Sequence, residues 1–288
     1  MGRVKKTQLI LGKLNVEISM FSETQSRSMV LRQLFGGELT GTMVAGEGEQ
    51  ESAWVIADNE IRTVEGKEFA VGKLGRIGSR HIARFKKNPR GFDQIELKDM
   101  VVAVSRFALE IDRERLVFEQ VRYISPQQFA EAFAEIMVRS DERLRDASVF
   151  PDVVPQDYSA EFSRIRSIHR IKFELVSPNS LGDFYDAACA MRKVFITDTG
   201  ADRVRVDCQT KAREGLIRQS QVVQIAQFMP VHTPQYGLVV VSGTTETGEP
   251  IVLRSIDKAK RVYVEVPADQ PEVTWNRFIE VLLKEGRG

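Results

Sequence analysis

The sequence has few cysteines and histidines, the residues that form zinc centres and many catalytic dyads. Its 288 residues include two cysteines, Cys189 and Cys208, and three histidines, His81, His169 and His232. None of them occurs at a spacing typical of a zinc site, so neither a metal nor another cofactor is expected. Two cysteines in a chain of this length are typical of a reducing compartment, where thiols stay free.

Long apolar runs are also missing. The longest, such as "MVVAV" at 100–104 and "GLVVV" at 237–241, are much shorter than the ~20 residues that span a bilayer. The apolar run near the N-terminus is interrupted by Lys13, which is not typical of a signal peptide. These absences predict a cytoplasmic protein without membrane insertion.

Neither sign of charge is in excess, since the chain has 41 Lys and Arg residues and 40 Asp and Glu residues. One segment departs from this balance. Residues 72–91, "GKLGRIGSRHIARFKKNPRG", contain seven Lys or Arg side chains, one histidine and no acid. The glycines and Pro89 predict the end of a strand, a flexible basic loop around 76–80 and a short helical turn near 82–87.

A flexible basic loop suits phosphate binding, because its cations can approach a nucleic-acid backbone and release counterions. The rings of His81 and Phe85 are spaced among the cations and could stack on bases. The acids Asp93, Glu96 and Asp99 follow directly, so an ordinary solvated face is the alternative interpretation. The cations of this candidate nucleic-acid site are Lys73, Arg76, Arg80, Arg84, Lys86, Lys87 and Arg90.

A second basic cluster lies in "SRIRSIHRIK". Its cations are two or four residues apart, so in a strand all of them would face one side, opposite the apolar residues. That face is a second candidate phosphate platform, and a plain solvent-exposed face is the alternative. The four cations are Arg164, Arg166, Arg170 and Lys172.

The segment "DQIELKD" contains the one pattern that points to catalysis. Asp93, Glu96 and Lys98 are the residue types with which restriction-type nucleases hold Mg²⁺ and place a lysine beside the attacking water. In those enzymes the first acid comes from a separate strand, whereas here the spacing is compressed. A charged loop is the alternative interpretation. The sequence contains no P-loop and no serine-hydrolase motif, which favours a binding protein over an enzyme.

The periodicity of apolar residues predicts an α+β protein with two modules, each a mainly antiparallel sheet flanked by helices. Pro151 and Pro155 interrupt the pattern, so we place the domains at 1–150, which carries the basic loop, and at 160–288.

Local signals predict the individual elements. Serines before apolar stripes predict helix N-caps, and Gly, Asn and Asp pairs predict turns. The predicted features are an N-cap at Ser22, a helix at 126–139 with Ser125 as its cap, turns at Asp58-Asn59 and Glu65-Gly66, a helix around 181–191 and a final helix at 271–284.

The order of elements in the second half carries a resemblance. A strand ending in "ELVSPNS", a helix, a short strand, "YGLVVVSGTTETG" and "KRVYVEVP" follow one another. This order resembles the RexA-like and related proteins of prophages and bacterial phage-defence loci. The similarity extends to "EFAVGKLGRI" and "LVFEQVRYISPQQFAEAF" in the first half. It implies a DNA-binding homodimer that acts in phage defence or prophage exclusion, and it transfers no catalytic residues.

The leading hypothesis is therefore a non-enzymatic nucleic-acid-binding protein, with DNA favoured over RNA. Two alternatives stay open. One is a metal-dependent nuclease effector that uses Asp93, Glu96 and Lys98. The other is an adaptor that binds a partner protein of a defence complex through apolar surface.

Overall fold

The fold is that of a computed structural model of the chain. The structure describes residues 4–19, 26–37, 39, 41–45, 52–86, 91–176, 203–232, 237–267 and 271–285. The side chains at 44–45, 79–86, 91–99, 175–176, 203, 232 and 271 lie outside this description. The helix predicted around 181–191 also falls outside the described residues.

Twelve strands and five α-helices occur in the described ranges. The strands are β1 Val4–Ile18, β2 Thr42–Ala45, β3 Ser52–Val64, β4 Lys67–Lys86, β5 Gly91–Glu110, β6 Arg115–Glu119, β7 Leu144–Pro151, β8 Ser167–Val176, β9 Arg203–Gln209, β10 Gly237–Thr244, β11 Pro250–Arg254 and β12 Arg261–Pro267. The helices are α1 Arg27–Gly36, α2 Pro126–Ser140, α3 Pro155–Ser163, α4 Gln221–His232 and α5 Pro271–Glu285. None of these helices is long and apolar enough to span a membrane.

The strands form an eight-stranded and a four-stranded sheet, both mainly antiparallel. The predicted α+β class is therefore confirmed. The chain groups into two compact units: Met1–Leu9, Val16–Ser148 and Tyr263–Gly288 form the first, and Ile10–Asn15 and Val149–Val262 form the second. This grouping differs from the predicted division into 1–150 and 160–288, because Ile10–Asn15 groups with the second unit and Tyr263–Gly288 with the first.

The large sheet, most of which lies in the first unit, has the strand order β12-β1-β6-β5-β4-β3-β2, and β7 also pairs with β1. On β5, the ring of Phe107 lies 6.0 Å from Phe35 of α1 and 4.9 Å from Phe133 of α2. The preceding residue, Arg106, contacts Thr274 of α5 at 3.4 Å. Because successive residues of a strand point to opposite faces, α1 and α2 cover one face of this sheet and α5 covers the other.

The two predicted N-caps have different outcomes. Ser125 caps α2 as predicted: its Oγ accepts a hydrogen bond from the Gln128 amide at 3.1 Å, and the Gln128 side chain accepts one from the Ser125 amide at 3.0 Å. This reciprocal pair is a capping box. The prediction for the first helix is wrong, because α1 begins at Arg27 with Ser26 as its N-cap, and Ser22 lies outside the described residues.

Asp58 and Asn59 form a bulge inside β3, so the prediction of a turn there is wrong. The pairing of β3 with β4 shifts register after Ala57, and Asp58 has a φ of 52°. The Asn59 amide nitrogen donates to the carbonyls of Phe35 at 2.9 Å and Gly37 at 2.8 Å. Aspartate and asparagine are residue types that favour turns. In this strand Asp58 allows a bulge, and Asn59 satisfies the carbonyls at the end of α1.

The stretch around the predicted module boundary is regular. Pro151 is the last residue of β7, and Pro155 is the first residue of α3, a position where proline removes no helical hydrogen bond. The turn at Glu65-Gly66 is confirmed, since it joins β3 to β4 with φ values of 51° and 74°. The final helix is also confirmed, at Pro271–Glu285.

The smaller sheet, with the order β11-β10-β8-β9, belongs to the second unit. Apolar residues of α3 and α4 pack with apolar residues of β8 and β10 in one buried core. Tyr158 of α3 is fully buried in this core, and its hydroxyl donates to the backbone carbonyl of Ala226 in α4 at 2.6 Å. Burial raises the pKa of the Tyr158 phenol, so the hydroxyl keeps the proton that it donates.

The Ala226 carbonyl needs this donor because of a proline. In an α-helix it would accept from the amide four residues later, but that residue is Pro230, which has no N–H. We expect Tyr158→Phe to lower the free energy of unfolding by about 1–3 kcal/mol, because a buried carbonyl loses its partner. Chemical denaturation of the full chain measures this change.

The control is the same substitution in a Pro230→Ala variant, which restores the backbone amide from which the Ala226 carbonyl would accept a helical hydrogen bond. In that background the effect of Tyr158→Phe should fall by at least about 0.5 kcal/mol. An equal effect of Tyr158→Phe in both backgrounds would show that the tyrosine does not replace the missing helical donor.

Candidate nucleic-acid interface

The acid-free segment of the sequence is a strand. β4 runs without interruption from Lys67 to Lys86 and pairs along its length with β5. The prediction of a flexible loop at 76–80 is therefore wrong, and so is that of a helical turn near 82–87 for positions 82–86, since Lys87 lies outside the described residues. The physical reason lies in the return strand: Ile82 is opposite Ile95, and Phe85 is opposite Phe92, so apolar positions match across the pair and favour a hairpin.

Beyond the large sheet, β4 and β5 continue as a pair. The pairing of β3 with β4 ends at Gly78, and the pairing of β6 with β5 begins only at Phe107. In the described pairings, positions 80–86 therefore pair only with positions 91–97, after a register shift between Gly78 and Arg80. We call residues 79–86 and 91–99 the basic ribbon, a two-stranded antiparallel extension of the sheet.

The cations of the ribbon occupy alternate positions of β4. Arg80 is opposite Leu97, Arg84 is opposite Asp93, and Lys86 is opposite Gly91. Alternate positions of a strand lie on one face, so positions 80, 84 and 86 share a face of the ribbon. The side chains of these three residues lie outside the description, and Lys87 and Arg90 lie outside the described residues altogether.

The two candidate cations at the root of the ribbon have partners within the protein. Lys73 forms an ion pair with Asp58, with Nζ 2.6 Å from Oδ2. The Arg76 guanidinium lies 5.5 Å from the centre of the Trp54 ring and donates to the Tyr123 carbonyl at 3.2 Å. Arg76 also donates to Ser52 at 3.1 and 3.2 Å. These contacts fix Arg76 to the sheet, so it anchors the root of the ribbon rather than extending towards a ligand.

The second basic cluster is divided between the connection that follows α3 and strand β8. Arg164 follows α3 and forms an ion pair with Glu161 at 3.1 Å, and Arg166 precedes β8, which begins at Ser167. The expectation that all four cations share one strand face is therefore wrong for Arg164 and Arg166. The helix that precedes β8 extends to Ser163, and the apolar alternation did not indicate where it ends.

Arg170 and Lys172 do share a face of β8, but Asp207 of β9 neutralises much of their charge. Arg170 donates two hydrogen bonds to Asp207, from Nε at 2.8 Å and from Nη2 at 2.5 Å, and Lys172 Nζ lies 3.7 Å from the same carboxylate. The hydrogen bond from Arg170 lowers the pKa of Asp207, so the carboxylate stays ionised. This face is a poorer phosphate platform than the sequence predicts.

Asp93, Glu96 and Lys98 lie in β5, in a strand rather than the charged loop of the alternative interpretation. Asp93 is opposite Arg84, and Glu96 is opposite His81. The side chains of all three lie outside the description. In the part of the chain that the structure describes, no three His, Cys, Asp or Glu residues are close enough to hold a metal ion.

Apolar side chains are exposed on β5 at the root of the ribbon, and the sequence did not predict this. The exposed fractions are 38% for Met100, 59% for Val101 and 38% for Val104. The run "MVVAV" has the composition of a buried strand, so composition gave no sign of its exposure. The position of the run along β5 is the feature that could have indicated exposure. The run precedes Phe107, where the pairing of β5 with β6 begins.

One family description, "Domain of unknown function (DUF4747)", matches residues 96–282, about two thirds of the chain. The chain belongs to the DUF4747 family. The matched region begins in the return strand of the ribbon and includes the whole of the smaller sheet. The cationic strand β4 precedes the DUF4747 match. Among curated proteins, none matches the sequence.

Proposed function

We propose that the protein is a non-enzymatic nucleic-acid-binding protein that contacts DNA through the basic ribbon. One observation carries this proposal. Residues 72–86 of the acid-free stretch lie in β4, which beyond Gly78 pairs with β5 alone in the described pairings. Cations on a projecting ribbon can approach a polyanion from outside the body of the protein, and each neutralised phosphate releases counterions.

Ion pairs within the protein weaken the other basic surfaces as candidates. Arg170 and Lys172 lie beside Asp207, and Lys73 lies beside Asp58. A cation that already has a carboxylate partner must lose that partner, or share it, before it can bind phosphate. Along β4 itself, Arg80, Arg84 and Lys86 are accompanied by no acid between positions 72 and 86, and across the ribbon Asp93 of β5 lies opposite Arg84.

The biological setting is a further part of the proposal. A homodimer that acts in phage defence or prophage exclusion follows from the resemblance to RexA-like proteins, and a cytoplasmic location follows from the cysteine usage and the short apolar runs. Both stay predictions.

A salt titration of the full chain tests the proposed function. Binding to duplex DNA, single-stranded DNA and duplex RNA is measured by fluorescence anisotropy at 50 and 200 mM salt. We expect a dissociation constant below about 10⁻⁴ M at the lower salt, and a slope of log K against log salt of about −0.9 per phosphate contact on duplex DNA. Absence of binding to all three ligands at 50 mM salt would contradict the proposal.

A further inference from the structure

The basic ribbon has the width of an element that fits one groove of DNA. Past Gly78 it consists of two strands in the described pairings, and paired strands are ~4.8 Å apart before their side chains are added. The major groove of B-form DNA is ~12 Å wide and admits a two-stranded ribbon, whereas the minor groove is ~6 Å wide. The major groove of A-form RNA is too deep and narrow for side chains to read.

The ribbon is also long enough to reach the floor of that groove. The eight steps from Gly78 to Lys86 correspond to about 26 Å at ~3.3 Å per residue. The major groove is ~8.5 Å deep. A ribbon of this length can therefore place its outer half in the groove while its root and the attached sheet stay outside the duplex.

The two strands differ in charge. Between positions 79 and 86, β4 carries Arg80, Arg84 and Lys86 and no acid, whereas β5 carries three acids, Asp93, Glu96 and Asp99, and one cation, Lys98, between positions 91 and 99. Three acids on one strand oppose an arrangement in which both strands lie along phosphates. In the major groove, by contrast, the cationic strand can follow one phosphate wall, and carboxylates can accept hydrogen bonds from cytosine amino groups on the floor.

We propose that the basic ribbon enters the major groove of B-form DNA, with β4 beside a phosphate backbone and β5 towards the base edges. This inference rests on the proposed function, because it names the form of DNA and the groove that the same ribbon contacts.

The experiment compares four ligands of one sequence with the unaltered full chain. They are a plain DNA duplex, the duplex with a glucosylated hydroxymethyl group on C5 of its cytosines, the duplex filled with netropsin, and the corresponding RNA duplex. The C5 group obstructs the major groove, and netropsin occupies the minor groove at A·T pairs. We expect the C5 group and the RNA form each to weaken binding at least about tenfold, and netropsin to change it less than about twofold.

The outcomes separate this inference from the proposed function. If netropsin weakens binding and the C5 group does not, the ribbon uses the minor groove and the inference is wrong. If all four ligands bind equally, the contacts are to the backbone alone and the inference is again wrong. In both cases DNA binding itself stands. If no ligand binds, the proposed function fails together with the inference.

Discussion

Replacing Arg80, Arg84 and Lys86 with alanine is expected to weaken binding to duplex DNA by about 10²- to 10⁴-fold at 0.1 M salt. Each charge-assisted contact to phosphate contributes about 1–2 kcal/mol in a partly solvated site. The slope of log K against log salt should also become less negative by about three, close to one per lost contact. Salt-dependent fluorescence anisotropy measures both quantities on unrelated duplexes, and the loss should be similar for each.

The matched control removes the same charge elsewhere. Lys211, Arg213 and Lys284 are exposed and lie outside the ribbon. Their joint replacement with alanine should change the affinity less than about threefold, because only the general field of the protein is altered. Equal losses for the two triple variants would indicate a response to net charge and would remove the ribbon as the binding element. Thermal melting of both variants shows whether the fold is kept.

Replacing Gly72 with alanine is expected to lower the free energy of unfolding by about 1–3 kcal/mol, although glycine in a strand is normally unfavourable. A Cβ atom at Gly72 would lie 2.7 Å from Cζ of the Phe107 ring, on the neighbouring strand. The ring cannot move aside freely, because Phe107 is fully buried and packs at 4.9 Å against Phe133. Chemical denaturation of the full chain measures the change.

Gly75 provides the control within the same strand. A Cβ atom at Gly75 would meet Val55 Cγ2 at 3.6 Å, an ordinary contact. Gly75→Ala should therefore be neutral, or raise the stability by up to about 1 kcal/mol through the lower entropy of the unfolded chain. If Gly72→Ala and Gly75→Ala had the same effect, the Phe107 ring would not be the reason for the glycine at position 72.

The glycines of the basic stretch show why its structure was predicted wrongly. Gly72, Gly75 and Gly78 were interpreted as loop residues, since glycine favours turns. In the fold they lie in β4, and Gly72 makes room for an aromatic ring from the next strand. The ring comes from a residue 35 positions later in the chain, so no local pattern around Gly72 could indicate this packing.

Local physical chemistry was sufficient for much of the fold. The alternation of apolar residues predicted mainly antiparallel sheets, and Ser125 with Pro126 predicted the start of α2, because both signals act within a few residues. The acid-free charge of residues 72–91 is likewise a property of the sequence alone. The sequence by itself therefore determined the α+β class, the capping of α2 and the position of the candidate interface.

Only the tertiary structure decided which charges have partners and how the basic segment is built. Asp58 and Lys73 are 15 residues apart, and Arg170 and Asp207 are 37 apart, yet each pair is in contact. Similarly, α5 at the end of the chain covers the sheet of the first unit because its apolar face packs on β5 and β6. Contacts of this kind depend on strand register and on the burial of apolar faces, which are set by the whole fold rather than by neighbouring residues.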